Sequence, residues 1–139
     1  MSQPYQIIAV DFDGTLCFSN WPDLGEPNRP LIEYLKQMRA SGNKLILWTC
    51  RAGEALEKAV SWCNDQDLTF DAVNDNLPEV IEMYGNNSRK ITCDYYIDDR
   101  MIKRKIRRTY AFKEMIGRIM ERGSYINEIN PPICYTYKH

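Results

Sequence analysis

Short, wholly apolar runs alternate along this chain with stretches whose apolar positions recur at helical spacing, a pattern that predicts strands interleaved with helices. Tyr5 to Val10 reads as a strand apolar enough to be covered on both faces. Cys17 to Arg29, rich in Pro, Gly and Asn, reads as a loop, and Pro30 suits the first position of a helix. Leu31, Tyr34, Leu35 and Met38 mark one face of that helix, which Gly42 ends. A second strand over Lys44 to Trp48 runs into Thr49, and Leu56, Ala59, Val60 and Cys63 carry the next amphipathic helix. Phe70 to Val73 is a short third strand, followed by a helix on Leu77, Val80, Ile81 and Tyr84 that closes at Gly85. Tyr95 to Ile97 is a fourth strand, ending in Asp98-Asp99. Beyond it, a basic helical tract from about Ile102 to Arg122 carries an apolar stripe at Phe112, Met115, Ile116 and Ile119. Ile133 to Tyr137, after Pro131-Pro132, reads as a fifth, edge strand. The expected architecture is a doubly wound, Rossmann-like α/β sheet of four to five parallel strands.

Length sharpens this picture. At 139 residues the chain is expected to be one domain, with its chemistry within residues 5–100 and a basic helical extension over about 101–139. A net charge of −1 gives no global reason for nucleic-acid binding. No apolar run approaches a membrane span, and the N-terminal run is too short for a signal peptide, so a cytoplasmic location is expected. The five cysteines (Cys17, Cys50, Cys63, Cys93 and Cys134) lack metal-knuckle or redox-motif spacing and are expected to be free thiols. The one histidine is the last residue, His139. Histidine-based nucleophile activation and histidine-ligated zinc are thereby disfavoured, and any metal should take oxygen ligands, as magnesium and calcium do.

Three predicted strands end in polar side chains: Asp11 with Asp13, Thr49, and Asp98 with Asp99. In an open parallel sheet the carboxyl ends of the strands share one edge, where ligands bind. With strand order 3-2-1-4-5 the first strand lies between the second and fourth, and the four carboxylates converge. Carboxylates gathered this way repel one another, and a divalent cation relieves the conflict. Mg²⁺ is the cation expected, held by one or two carboxylates with waters and phosphate oxygens. A calcium loop starting at Asp11 fails, because its sixth and twelfth positions hold Leu16 and Pro22 rather than glycine and glutamate.

Asp11-Phe12-Asp13-Gly14-Thr15-Leu16, set directly after Ile7-Ile8-Ala9-Val10, resembles the first motif of the haloacid-dehalogenase-like (HAD) phosphatase superfamily. Thr49 matches that family's second motif, Lys90 its third and Asp98-Asp99 its fourth, in the family's order over residues 5 to 100. The resemblance implies a capless, Mg²⁺-dependent phosphatase, since the gaps that hold cap domains are short here. It makes Asp11 the nucleophile that forms an aspartyl-phosphate and Asp13 the general acid and base. Thr49 and Lys90 would hold phosphoryl oxygens. Metal ligands would come from Asp11, the backbone carbonyl of Asp13, and either Asp98 or Asp99, with Asp99 favoured. Gly14 and Thr15 fall in the phosphate-binding turn.

Blander readings stand beside these. Thr49 suits a strand as a β-branched residue, and Lys90 competes with Arg89 and with a solvated lysine. Arg51 reads equally as a contact to substrate phosphate and as a surface arginine. Phe18 and Trp21 either stack on a nucleobase or pack over the site entrance, and the run Lys103 to Arg108 suits a polyanion surface or a solvated helix face. The partner expected is a phosphorylated substrate of unspecified identity, with nucleotides and nucleic-acid ends among the candidates. An open site also suits occlusion by a second subunit. Two alternatives use the same fold: a phosphoaspartate signalling switch, whose motif order differs, and a non-catalytic phosphate-binding module.

Overall fold

The computed structural model describes residues 4–101 and the backbone of residues 135–138. Its elements run β1 (Ile7–Val10), β2 (Cys17–Phe18), β3 (Glu26–Pro27), α1 (Arg29–Ala40), β4 (Lys44–Leu47), α2 (Gly53–Asp65), β5 (Ala72–Val73), α3 (Pro78–Tyr84), β6 (Tyr95–Asp98) and β7 (Tyr135–Lys138). The predicted basic helix and its stripe, Cys134 and His139 lie outside the described residues.

The main sheet has the order β5-β4-β1-β6-β7. The first four strands are parallel, with Ile8 opposite Leu45 on one side and Tyr95 on the other. This is the strand order expected from the sequence, and it is compatible with a Rossmann-like fold. The fifth strand departs from expectation, because β7 pairs with β6 antiparallel. An antiparallel edge on an otherwise parallel sheet is a common arrangement.

Every residue of β1 is buried, and its alternate side chains enter two different cores. Ile8 and Val10, with Leu45, Leu47 and Ile97, pack against Leu31 and Leu35 of α1 and Ala59 and Cys63 of α2. Ile7, Ala9 and Ile46 pack with Leu77 and Val80 at α3 and with Ile91 and Cys93. Both sides of β1 are thus packed, one by α1 and α2 and the other by α3 with Ile91 and Cys93. This is why β1 reads as a continuous apolar run rather than an alternating one. No helix among the described residues is long and apolar enough to cross a membrane.

A second departure lies in the segment after β1. Where a loop is predicted, β2 and β3 form a small antiparallel hairpin. Two-residue strands carry no periodicity for a sequence reading to detect. The turn that leads into it is tight: the Phe12 carbonyl accepts from the amides of Thr15, Leu16 and Cys17 at 3.2, 3.0 and 3.0 Å. Asn28, buried just before α1, donates its side-chain amide to the Thr15 carbonyl at 2.9 Å and ties the helix start to this turn.

Candidate functional site

Beyond the last buried residue of β1 the parallel ladder continues for one step on each side. The Asp11 amide donates to the Ile97 carbonyl and the Trp48 amide to the Val10 carbonyl, both at 2.9 Å. The ends of β1, β4 and β6 are thus level, and Asp11, Thr49, Asp98 and Asp99 belong to one rim. Asp11, Asp98 and Asp99 each offer a carboxylate oxygen, and these oxygens lie within 4.8 Å of one another.

Gly14 lets the last of these carboxylates approach. Its φ is +78°, and a Cβ there would stand 2.3 Å from Asp99 Oδ2. A side chain at position 14 would be strained by the left-handed backbone and would push the Asp99 carboxylate aside. Burial and then the neighbouring Asp98 charge push the Asp11 carboxyl up to about 7, although the hydroxyl of Thr15 and the amide of Phe12 oppose the rise. Asp99 is raised as well, by burial first and by Asp98 next. Asp98 accepts the backbone amide of Arg100 at 2.8 Å. Three crowded carboxylates that offer only oxygen donors, with Asp11 and Asp99 raised in proton affinity, fit a hard divalent cation.

Asp13 is not a member of this cluster. Its carboxylate is held by Arg51 as a fork, Nε to Oδ2 at 2.9 Å and a terminal nitrogen to Oδ1 at 2.7 Å. Ser19 on the hairpin donates its hydroxyl to the same Oδ1. Burial alone would raise Asp13, but the Arg51 and Ser19 hydrogen bonds outweigh it, and the carboxyl sits below the usual range. The metal ligand expected from residue 13 is its backbone carbonyl, and the Arg51 fork engages only the carboxylate.

Arg51 was open to two sequence readings, and the structure removes one. The residue is 1% exposed, so it is no surface arginine. Its guanidinium carbon lies 5.0 Å from the centre of the Phe12 ring and 4.8 Å from that of Trp21. Phe12 is itself fully buried, edge-on to Trp62 at 5.4 Å, and so anchors the turn between the two aspartates. Arg51 also donates to the carbonyls of Pro22 and Ala55 at 3.3 and 3.4 Å. A buried cation with this many partners is a fixed part of the site.

The remaining predicted residues divide. Thr49 stands at the rim; its hydroxyl oxygen accepts the Arg51 amide at 3.1 Å, which leaves the hydroxyl proton to be donated elsewhere. Thr15 is fully buried and donates to Asp11 Oδ2 at 3.0 Å, so it orients that carboxylate rather than facing a ligand. Lys90 is exposed and makes no ion pair among the described residues, and no described contact brings it to the carboxylates. Its segment is pinned by buried Asn76, which donates to Asn87 Oδ1 and the Ser88 carbonyl and accepts the Thr92 amide.

Asn74 was missed by the sequence reading. It accepts the Thr49 amide at 2.8 Å, donates to the Arg51 carbonyl at 3.3 Å, and has a φ of 51°. The Asn74-Asp75-Asn76 run was the available signal, since Asn tolerates the left-handed region and bonds nearby backbone.

Fold and site together define an α/β protein whose parallel strands end in a cation-competent acidic rim. No family model and no curated protein matches the chain. Among solved structures, that of a conserved protein coded by a locus from Bacteroides thetaiotaomicron matches with a TM-score of 0.64 and 36% identity, covering 85% of this chain and 92% of the other. The chain belongs to the same family as that conserved Bacteroides protein.

Proposed function

We propose that this protein is a Mg²⁺-dependent phosphomonoester hydrolase of the HAD type, with a doubly wound core and no cap domain, acting through Asp11. The observation that carries the reading is the meeting of Asp11 with Asp98 and Asp99 over Gly14, between segments far apart in sequence. Mg²⁺ held by Asp11 and an Asp98 or Asp99 oxygen would neutralise the charge of a carboxylate and a phosphate brought together.

The chain's own residues supply the rest. An Asp11 oxygen attacks phosphorus, an aspartyl-phosphate forms, and the bond from phosphorus to the ester oxygen breaks. Thr15 holds Asp11 by its second oxygen during attack. The departing oxygen takes its proton from Asp13, which then removes a proton from the water that cleaves the intermediate and frees Asp11. Arg51 keeps Asp13 ionised in the resting state, as the second step needs. An arriving phosphate dianion acts against Arg51 and raises the proton affinity of Asp13. Asp13 takes up a proton from solvent before the first step and returns one to solvent after the second. Thr49, through its hydroxyl proton, and Lys90 are the groups assigned to the phosphoryl oxygens.

Hydrolysis of p-nitrophenyl phosphate, followed with Mg²⁺ and with EDTA, tests the reading. Turnover should require Mg²⁺ and fall by about 10³-fold or more in Asp11→Asn. Equal rates in EDTA, or an unimpaired Asp11→Asn, would overturn it.

A further inference from the structure

The hairpin carries three large apolar side chains that the fold leaves open: Phe18 at 48%, Trp21 at 63% and Leu24 at 38% exposure. Their position gives them meaning. Ser19, between the two aromatic residues, donates to Asp13, and Arg51 joins Asp13 to Trp21 and Pro22. Hairpin and general acid are thus one hydrogen-bonded unit. One face of the Trp21 ring rests on the Arg51 guanidinium, which also lies over the buried Phe12 ring and is held by the Asp13 fork. The ring is held in place while most of its surface meets water. A rigid exposed aromatic ring is a preorganised stacking surface, since its ordering cost is met before any ligand arrives.

We infer that Trp21, with Phe18 on the same hairpin, seats the planar base of the leaving group, so that the substrates are phosphate esters of nucleosides, free or at a nucleic-acid end. The inference rests on the phosphatase reading, because it places the leaving group at Asp13. The oxygen protonated by Asp13 belongs to the leaving group, and whatever hangs from that oxygen therefore passes the hairpin. A polyol would gain little from apolar rings there, whereas every nucleobase offers a π face to stack on them. A second copy of this chain is the competing occupant, and the test separates the two.

The experiment compares AMP, a 5′-phosphorylated oligonucleotide and glycerol 3-phosphate as substrates, with Mg²⁺, for wild type, Trp21→Ala, Trp21→Phe and Tyr84→Ala. Wild type should prefer a base-bearing substrate to glycerol 3-phosphate, and Trp21→Ala should lower that preference about 10-fold, mainly through KM. Trp21→Phe should restore most of it, and Tyr84→Ala, exposed at the end of α3, should match wild type. Faster turnover of AMP assigns free nucleotides, and faster turnover of the oligonucleotide assigns strand ends. Calorimetric binding of AMP and glycerol 3-phosphate to Asp11→Asn gives the same comparison without turnover, so a failure of the phosphatase reading is seen separately. Equal use of all three substrates, an equal loss on all three in Trp21→Ala, or a Trp21→Ala variant that changes oligomeric state on size exclusion would overturn the inference.

Discussion

Asp99 Oδ2 lies where the side chain of residue 14 would be: a Cβ on Gly14 would stand 2.3 Å from it. The Asp99 carboxylate thus reaches over the turn after β1 because residue 14 has no side chain. That approach lets carboxylates from distant parts of the chain share a rim. Gly14→Ala should displace Asp99 and strain a backbone held at φ +78°. The expected cost is about 1–3 kcal/mol of stability together with at least about 10-fold weaker Mg²⁺ binding. Urea denaturation and calorimetry check the two effects.

Arg51 and Asp13 form an ion pair in which the cation has no solvent exposure and about a third of the carboxylate side chain, 33%, does. Arg51→Met should cost about 2–3 kcal/mol, at or below the bottom of the range for a broken buried pair because Asp13 retains contact with water. Arg51→Lys should recover only part of this, since an ammonium cannot reproduce the fork. In a double-mutant cycle, Arg51→Met should cost much less in an Asp13→Asn background. Additive losses would mean that the pair is not coupled.

The rim should make metal-free stability depend on pH. Asp11 takes up its proton at about 7 in the folded chain, against an ordinary 3.8, so the folded state binds more protons between those values. Its stabilising effect is complete below the ordinary value and is lost as pH rises through about 7. Asp99 acts in the same sense. Asp13 acts in the other: its contribution is present above the ordinary carboxylate range and is lost as pH falls through its lowered value. In EDTA, unfolding free energy should therefore decline as pH rises from about 5 to about 8. Asp11→Asn or saturating Mg²⁺ should flatten that decline, the first by removing a charge and the second by binding only the folded state. Urea titrations across this range measure it, and a profile identical in wild type and Asp11→Asn would contradict it.

How much of this was legible in the sequence follows from the range of each interaction. An unbroken apolar run that stops at Asp-x-Asp-Gly reveals a central strand and its acidic rim, because both signals are local. The convergence of Asp98 and Asp99 on Asp11 was also within reach, since parallel strand order fixes which ends are neighbours. Arg51 resisted the reading because it lies 38 positions from Asp13 and its neighbours give no sign of burial. Thr15 looked like a phosphate contact, yet its hydroxyl turns inward to Asp11, a choice of rotamer that spacing cannot reveal. Asn74 escaped for a related reason: it serves the Thr49 loop through two long-range hydrogen bonds.

The most direct measurement is intact-mass and peptide mapping of Asp13→Asn, quenched in acid after mixing with AMP, p-nitrophenyl phosphate and Mg²⁺. With its proton shuttle disabled, the variant should accumulate a single phosphoryl group on Asp11, absent when EDTA replaces Mg²⁺ and absent from the Asp11→Asn, Asp13→Asn double variant. A phosphoryl group on any other residue, or none in the presence of Mg²⁺ under conditions where the wild type turns over, would contradict a nucleophile at the end of β1.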